Sequence, residues 1–155
     1  MSSTSSAQSG IDPRGPRFGA VITTVMLALA FVLLWTPQGS AGYNIACVLL
    51  AIQTLVFALG AIVGLSAQPY GWIYRRFVRP RLSPPSELED PAPPRFAQVV
   101  GLAFAVVALI SAIFGAPVVA IIATGCALIA AFLNAAFALC LGCEMYLIGR
   151  RLVRR

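Results

Sequence analysis

Residues 97–114 read AQVVGLAFAVVALISAIF, and after Gly115-Ala116-Pro117 residues 118–133 read VVAIIATGCALIAAFL. No charged residue lies between Arg95 and Glu144. About 20 such residues cross the hydrocarbon core of a bilayer as one helix. Strands of a membrane barrel alternate apolar and polar residues, whereas both stretches are apolar on every side. The sequence therefore predicts a membrane-spanning helical hairpin, closed by a tight Gly-Pro turn.

The first half of the chain has the same organisation, because no charged residue lies between Arg17 and Arg75. We therefore predict an all-α, integral membrane four-helix bundle in which residues 12–155 form a single transmembrane domain. Residues 1–11 are Ser-rich and are expected to be a disordered arm. The predicted spans are residues 18–35, 43–65, 97–114 and 118–145. The connector at residues 66–96 begins with an aromatic and basic interfacial segment, and its Pro-rich part, residues 79–95, is expected to be extended along the membrane surface.

The charges predict how the bundle is oriented. All eleven basic residues among the 155 are arginines, and they lie in the N-terminal arm, the connector and the C-terminal tail. Basic residues collect on the cytoplasmic side of a membrane. We therefore expect a bacterial cytoplasmic (inner) membrane protein with both termini and the connector in the cytoplasm. Since the arginines only flank spans, the lipid bilayer explains them and nucleic acid is not expected as a partner.

The chain also repeats itself. Residues 12–18 match residues 90–96 at Asp, Pro, Pro, Arg and Phe, and residues 73–79 match residues 148–154 in an Arg-rich pattern. We interpret this as two helical-hairpin repeats. Because each repeat crosses the membrane twice, the two would be parallel to each other.

The candidate site is Cys140-Leu141-Gly142-Cys143-Glu144, at the end of the fourth predicted span. Its cysteines align with Gly60 and Val63 of the first repeat, so the pair is an addition to one hairpin. Cysteines three residues apart share a helix face and could perform thiol chemistry. The alternatives are a small-residue packing stripe and a metal site. One chain has too few ligands for zinc, so a metal would need a homo-oligomer, and no cofactor is expected.

A position near the end of a helix disfavours a thiolate, because the helix dipole is negative there. Gly142 could let the helix distort enough to join the sulfurs. Glu144 is either a functional acid that tunes the thiols or a headgroup-level partner of arginines, namely Arg75, Arg76, Arg150 and Arg151.

Two further groups of side chains stand out within the spans. Gln53, Thr54 and Asn134 are polar, and we expect Thr54 and Asn134 to hydrogen-bond between hairpins. Cys47 and Cys126 occupy nearly equivalent repeat positions, which favours burial as small side chains over a disulfide.

Residues 90–98, 132–137 and 140–146 resemble a family of bacterial multi-pass membrane proteins that is catalogued as a domain of unknown function. The resemblance covers nearly all of the chain after the arm, and Cys-Leu-Gly-Cys-Glu is its most specific part. Some members are encoded near thioredoxin-like or sulfurtransferase proteins, so the resemblance implies such proteins as partners. It implies no established activity or catalytic residue.

Two functional hypotheses follow. The first is a membrane protein for thiol-redox or sulfur-transfer chemistry, with Cys140, Cys143 and Glu144 as a cytoplasm-facing site. The alternative is a non-catalytic assembly or structural subunit of a membrane complex. These observations leave open whether the protein is an enzyme.

Overall fold

The computed structural model describes residues 10–153, which are mostly helical. The predicted disorder of the arm concerns mainly residues 1–9, which lie outside the described residues. Ile11, also assigned to that arm, is instead paired with Glu89 through two backbone hydrogen bonds of 2.9 and 3.0 Å. The helices are α1 (Arg14–Leu33), α2 (Ala41–Ala58), α3 (Pro69–Ile73), α4 (Ala92–Ile113), α5 (Pro117–Phe137) and α6 (Leu141–Val153).

Four of the helices in residues 10–153 are long and apolar enough to cross a membrane: α1, α4, α5 and α2 together with its π-helical extension Leu59–Val63. They form two hairpins. Gly39 and Gly115 turn the chain at φ values of 79° and 80°, where side chains are disfavoured. Ser40 then caps α2 by accepting the Tyr43 N–H, and Pro117 begins α5. The all-helical class and the number of candidate spans thus agree with the prediction.

The core of the bundle lies in the half next to these two uncharged turns. Alanines from all four spans meet there, and Ala30, Ala46, Ala108 and Ala120 are fully buried. Small side chains let membrane helices approach closely. The Tyr43 hydroxyl joins the hairpins across this half by donating to the carbonyl oxygen of Ala112 at 3.1 Å.

The opposite half carries the arginines, two of which cap helices of the other hairpin. Arg17 on α1 donates to the carbonyl oxygens of Ala135 and Ala136 at the end of α5, at 3.1 and 3.4 Å. Arg95 on α4 donates to those of Ala61 and Ile62 at the end of the α2 extension, both at 2.9 Å. These contacts satisfy carbonyls that a helix end leaves unpaired.

Two segments differ from the sequence expectation. The connector was expected to be extended from residue 79, but α3 continues through Tyr74–Val78 and Arg79–Arg81 as π- and 3₁₀-helical turns. Buried Tyr70 and Tyr74 hold this part against α1 and so stabilise the helical turns. The fourth span ends at Phe137 and not at residue 145, because the helix breaks before the cysteines.

Candidate functional site

The break between α5 and α6 determines the position of the cysteine pair. Ala138 has φ 56° and ψ 22°, a left-handed conformation that ends α5. The N–H groups of Ala138 and Leu139 bond back to the carbonyls of Asn134 and Leu133 at 3.1 and 3.2 Å. The new helix α6 begins at Leu141, so Cys140 directly precedes its first turn. The expectation that the pair lies toward the end of a helix is therefore wrong.

Cys140 and Cys143 are joined by a disulfide, with 5.2 Å between their Cα atoms. The backbone N–H of Cys143 donates to Sγ of Cys140 at 3.3 Å. A helix N-terminus directs its partial positive charge and free N–H groups toward such a sulfur, and this favours the thiolate once the pair is reduced. The sign of the helix-dipole effect is thus opposite to the one expected from the sequence.

Gly142 docks this first turn onto α4. A Cβ atom at position 142 would lie 2.6 Å from Cα of Ala97, which is closer than any real contact. One turn further along α6, the rings of Tyr146 and Phe96 have centroids 5.8 Å apart. Gly142 therefore serves close packing of α6 on α4, whereas the sequence suggested that it would distort a continuous helix.

Glu144 follows the cysteines in the first turn of α6 and is exposed. Its N–H bonds to the carbonyl of Cys140 at 3.0 Å, which holds the turn closed. A carboxylate is favourable at a helix N-terminus. Within residues 10–153 the ion pairs are Arg14–Asp12 and Arg150–Asp90, so none of the four expected arginine partners binds Glu144.

A cleft of about 900 Å³ begins at the cysteine pair and extends into the bundle. Its walls come from α1, α4 and α5, and the first two turns of α6 close its charged end. Cys140, Cys143 and Glu144 all line it, as do Arg17 and Asn134. The structure thus brings the three predicted site residues together at the mouth of one cavity.

A hydrogen-bonded group centred on Asp12 fastens the connector to α1 at the same end of the molecule. Asp12 accepts hydrogen bonds from the Arg14 guanidinium at 2.9 and 3.0 Å and from the Tyr74 hydroxyl at 2.9 Å. The Arg14 side chain holds the pKa of the Asp12 carboxyl below its ordinary value, although burial opposes this. Burial, and then the bond to Asp12, raise the pKa of Tyr74. These charges therefore serve the fold.

Polar residues within the spans bond differently from the expectation. The Thr54 hydroxyl donates to Leu50 of its own helix at 2.7 Å, so it does not join the hairpins. Buried Gln53 instead donates to Thr23 and accepts from Tyr70. Asn134 lines the cleft.

The two other cysteines of the chain are not part of the pair. Cys47 and Cys126 are both free, Cys47 half-buried and Cys126 exposed on the wall of the cleft. Within residues 10–153 no group of three or more His, Cys, Asp or Glu side chains could hold a metal ion.

Sequence reasoning did not find the cleft or the contact of Arg17 with α5. The cleft is a space between helices that are distant in sequence, and a basic residue at a span end predicts orientation only. At Ala138, where a left-handed residue ends α5, the sequence also has neither the glycine nor the proline that usually marks a helix break.

A family model described as a domain of unknown function (DUF4395) matches residues 11–151. The chain belongs to this family. The resemblance inferred from the sequence is therefore confirmed at the level of a family of unknown function. The chain matches no curated protein and no solved structure.

Proposed function

We propose that this multi-pass membrane protein exchanges disulfides with soluble thiol proteins through Cys140 and Cys143. The observation that carries the proposal is the start of α6 directly after Cys140, with the two sulfurs within bonding reach. A pair at a helix N-terminus is the arrangement in which a thiolate is stabilised and can be a leaving group. Packing alone requires neither a broken helix nor a sulfur that accepts an N–H.

The charge distribution supports a cytoplasmic location for the pair in a bacterial inner membrane. Arg17 and Arg95, in the first turns of α1 and α4, contact the ends of α5 and α2, and Arg150 pairs with Asp90 of the connector. The arginines and the cysteine pair thus share one end of the bundle, and the tight turns at the other end are uncharged. By the positive-inside rule the arginine-rich end faces the cytoplasm.

The exchange proceeds in two balanced steps. A thiolate of the partner attacks Sγ of Cys140, forming a mixed disulfide and releasing Cys143 as a thiolate that takes up a proton. The second thiol of the partner then loses its proton and attacks the partner sulfur of the mixed disulfide, so Cys140 leaves as a thiolate. The partner is oxidised by two electrons and the pair is reduced to a dithiol. Each step can also run in reverse.

We assign Cys140 as the exchanging thiol and Cys143 as the thiol that resolves the mixed disulfide when the exchange runs in reverse. Sγ of Cys140 accepts the N–H of Cys143, which stabilises the leaving thiolate. Glu144 lies beside them at the cleft mouth and would take part in their protonation. Two adjacent thiols suit disulfide exchange with a thioredoxin-like partner, whereas sulfur transfer from a sulfurtransferase needs only one persulfide-forming thiol.

Trapping in intact cells tests this function. In Cys143→Ser, Cys140 can still attack the disulfide of an oxidised partner, but no Cys143 thiol is present to release that partner, so covalent adducts with cytoplasmic thiol proteins should accumulate. Cys140→Ser should accumulate none, and Cys126→Ser is the matched control that should behave as wild type. Equal adduct levels in all three variants would refute the exchange. A persulfide on Cys140 in the absence of protein adducts would replace it by sulfur transfer.

We also infer that the two hairpins are parallel repeats. Arg17 and Arg95 are equivalent residues in the sequence repeat, and each caps the last span of the other hairpin. Likewise, the equivalent residues Asp12 and Asp90 each accept the N–H two residues ahead, at 3.0 and 2.9 Å. Reciprocal contacts of this kind support a two-fold relation about an axis along the membrane normal.

A further inference from the structure

The cleft extends from the redox pair to the depth of the lipid. Cys126 lies on its wall eleven residues before the end of α5 at Phe137, which is about 16 Å along the helix axis. That is about half of a hydrocarbon core of about 30 Å. Its volume of about 900 Å³ falls within the range of ligand sites, which is about 300–1,000 Å³.

The walls combine apolar surface with a few polar groups. Small residues such as Ala130 line the space together with the rings of Phe57 and Phe104, and the Phe57 ring packs against Gly101, where a Cβ would lie 2.8 Å from it. Thr23, Gln68, Gln98 and Asn134 are uncharged polar residues at these walls. The Oε1 atom of Gln98 accepts a hydrogen bond from Gln68 at 2.9 Å, which leaves the Gln98 amide N–H₂ as a donor.

The corresponding place in the first hairpin is filled. There α3 packs on α1, and the buried ring of Tyr70 reaches Gln53, to which its hydroxyl donates at 3.1 Å. In the second hairpin α6 packs on α4 through Gly142, which has no side chain to enter the bundle. The cleft therefore lies between α1 of the first hairpin and the helices of the second hairpin, at the end where α6 carries the cysteine pair.

We propose that the cleft binds a lipid-soluble quinone, which oxidises the reduced Cys140–Cys143 pair; this assignment rests on the exchange function proposed above. A planar ring with two carbonyl oxygens and an apolar tail fits a cavity with aromatic and small apolar walls and amide donors. A soluble oxidant would not need a cleft that extends to mid-span. The pair lines the cleft, so the ring can reach the sulfurs without leaving it.

The reaction balances without any other reactant. The dithiol of Cys140 and Cys143 gives up two electrons and two protons and forms the S–S bond. The quinone takes up both electrons and both protons and becomes a quinol. The oxidised pair is then ready to accept electrons from the next soluble dithiol.

Binding is tested without the redox pair. The full-length Cys140→Ser/Cys143→Ser variant in lipid nanodiscs retains two thiols, Cys126 in the cleft and Cys47 outside it. The probe is decylubiquinone, whose ring has no free position for thiol addition, and alkylation by a membrane-permeant maleimide is measured for each cysteine by mass spectrometry. At about ten times the Kd, Cys126 labelling should slow by about tenfold while Cys47 is unaffected. Unchanged labelling of Cys126 overturns the quinone site.

Electron transfer is tested with reduced full-length protein that retains the pair. Decylubiquinone should convert Cys140 and Cys143 to the disulfide with one quinol formed per pair. Ala130→Phe, which fills the cleft, should abolish this, whereas Ile122→Phe on the exposed outer face of α5 should not. Protection of Cys126 without oxidation of the pair overturns the role of quinone as oxidant. Loss of mixed disulfides in cells with Cys126 still protected overturns only the exchange function.

Discussion

Gly142 sets the distance between the cysteine turn and α4. Because a Cβ there would collide with the backbone of Ala97, Gly142→Ala should push the start of α6 away from α4. We expect a loss of about 1–3 kcal/mol in stability, as for other overpacked sites, together with faster alkylation of the reduced Cys140. Thermal unfolding in detergent and thiol-labelling rates measure the two effects.

Gly149 offers a matched control on the same helix. A Cβ at this position meets no other atom within 4 Å. Gly149→Ala should therefore stabilise α6 by about 0.5–1 kcal/mol, since alanine favours the helix over glycine. If the two alanine variants behaved alike, the proposed contact with Ala97 would be wrong.

Asp12 confers an acid-sensitive contribution to stability. Its folded pKa lies below its ordinary value of 3.8, so its bonds to Arg14 and Tyr74 stabilise the fold above about pH 4. This contribution decreases as the pH falls from 3.8 and is lost below the lower folded value. Asp12→Asn should destabilise the protein by about 1–3 kcal/mol at neutral pH. Melting curves of variant and wild type should converge in acid; a constant difference would show that the carboxylate charge is not responsible.

At the level of elements, the left-handed residue Ala138 decides where α6 begins. An alanine in this conformation is less stable than a glycine, by about 1–2 kcal/mol for the left-handed geometry. Ala138→Gly should therefore stabilise the protein by about 0.5–1 kcal/mol after the entropy of glycine is subtracted, and the cysteine pair should remain reactive. Urea or thermal unfolding in detergent measures the change.

Ala136, two residues earlier, belongs to the helical part of α5. Ala136→Gly should destabilise by about 0.5–1 kcal/mol, which is the opposite sign. A stabilising effect of glycine at both positions, or at neither, would mean that the break does not lie at Ala138.

The sequence predicted an element well where the length of an apolar stretch determines it. It predicted an element poorly where the backbone conformation of a single residue determines where a helix ends. Four uncharged stretches and two Pro-Gly turns were enough for the spans. Nothing in Phe137-Ala138-Leu139 indicates a break, because alanine rarely adopts φ above zero. The break therefore depends on tertiary contacts, among them the docking of Gly142 on Ala97. The same limit applies to α3, where the buried side chains of Tyr70 and Tyr74 hold the chain against α1.

At the level of the whole molecule, the two hairpins hold each other without the connector. Residues 82–91 contain no helix, whereas α1 packs against α5 and α2 against α4. A protease site inserted between Ser86 and Glu87 should therefore be cleaved while both fragments stay together in mild detergent. Size-exclusion chromatography after cleavage checks this. The same experiment on Arg17→Ala/Arg95→Ala should show weaker association, and separation of the wild-type fragments would disprove the prediction.

The site as a whole could be predicted only in part. The sequence identified Cys140, Cys143 and Glu144 as candidates and placed them at the arginine-rich end. It did not indicate the cavity, since that depends on how α1, α4 and α5 are spaced and on how α6 docks through Gly142. Periodicity and composition describe surfaces of single helices, and a cleft between three spans is not a property of any of them.

The alanine contacts lie at one end of the spans and the cleft lies at the other. Closely packed alanine faces resist compression, so they act as a fixed pivot for motions of the helices. With 20 residues, α1 is about 30 Å long. A tilt of about 5° around the pivot moves its charged end by about 2–3 Å over that length. Such a displacement would lengthen the Arg17 contacts with α5 and widen the mouth beside Cys140. The bundle thus has a fixed end at the alanine contacts and a movable end at the cysteine pair.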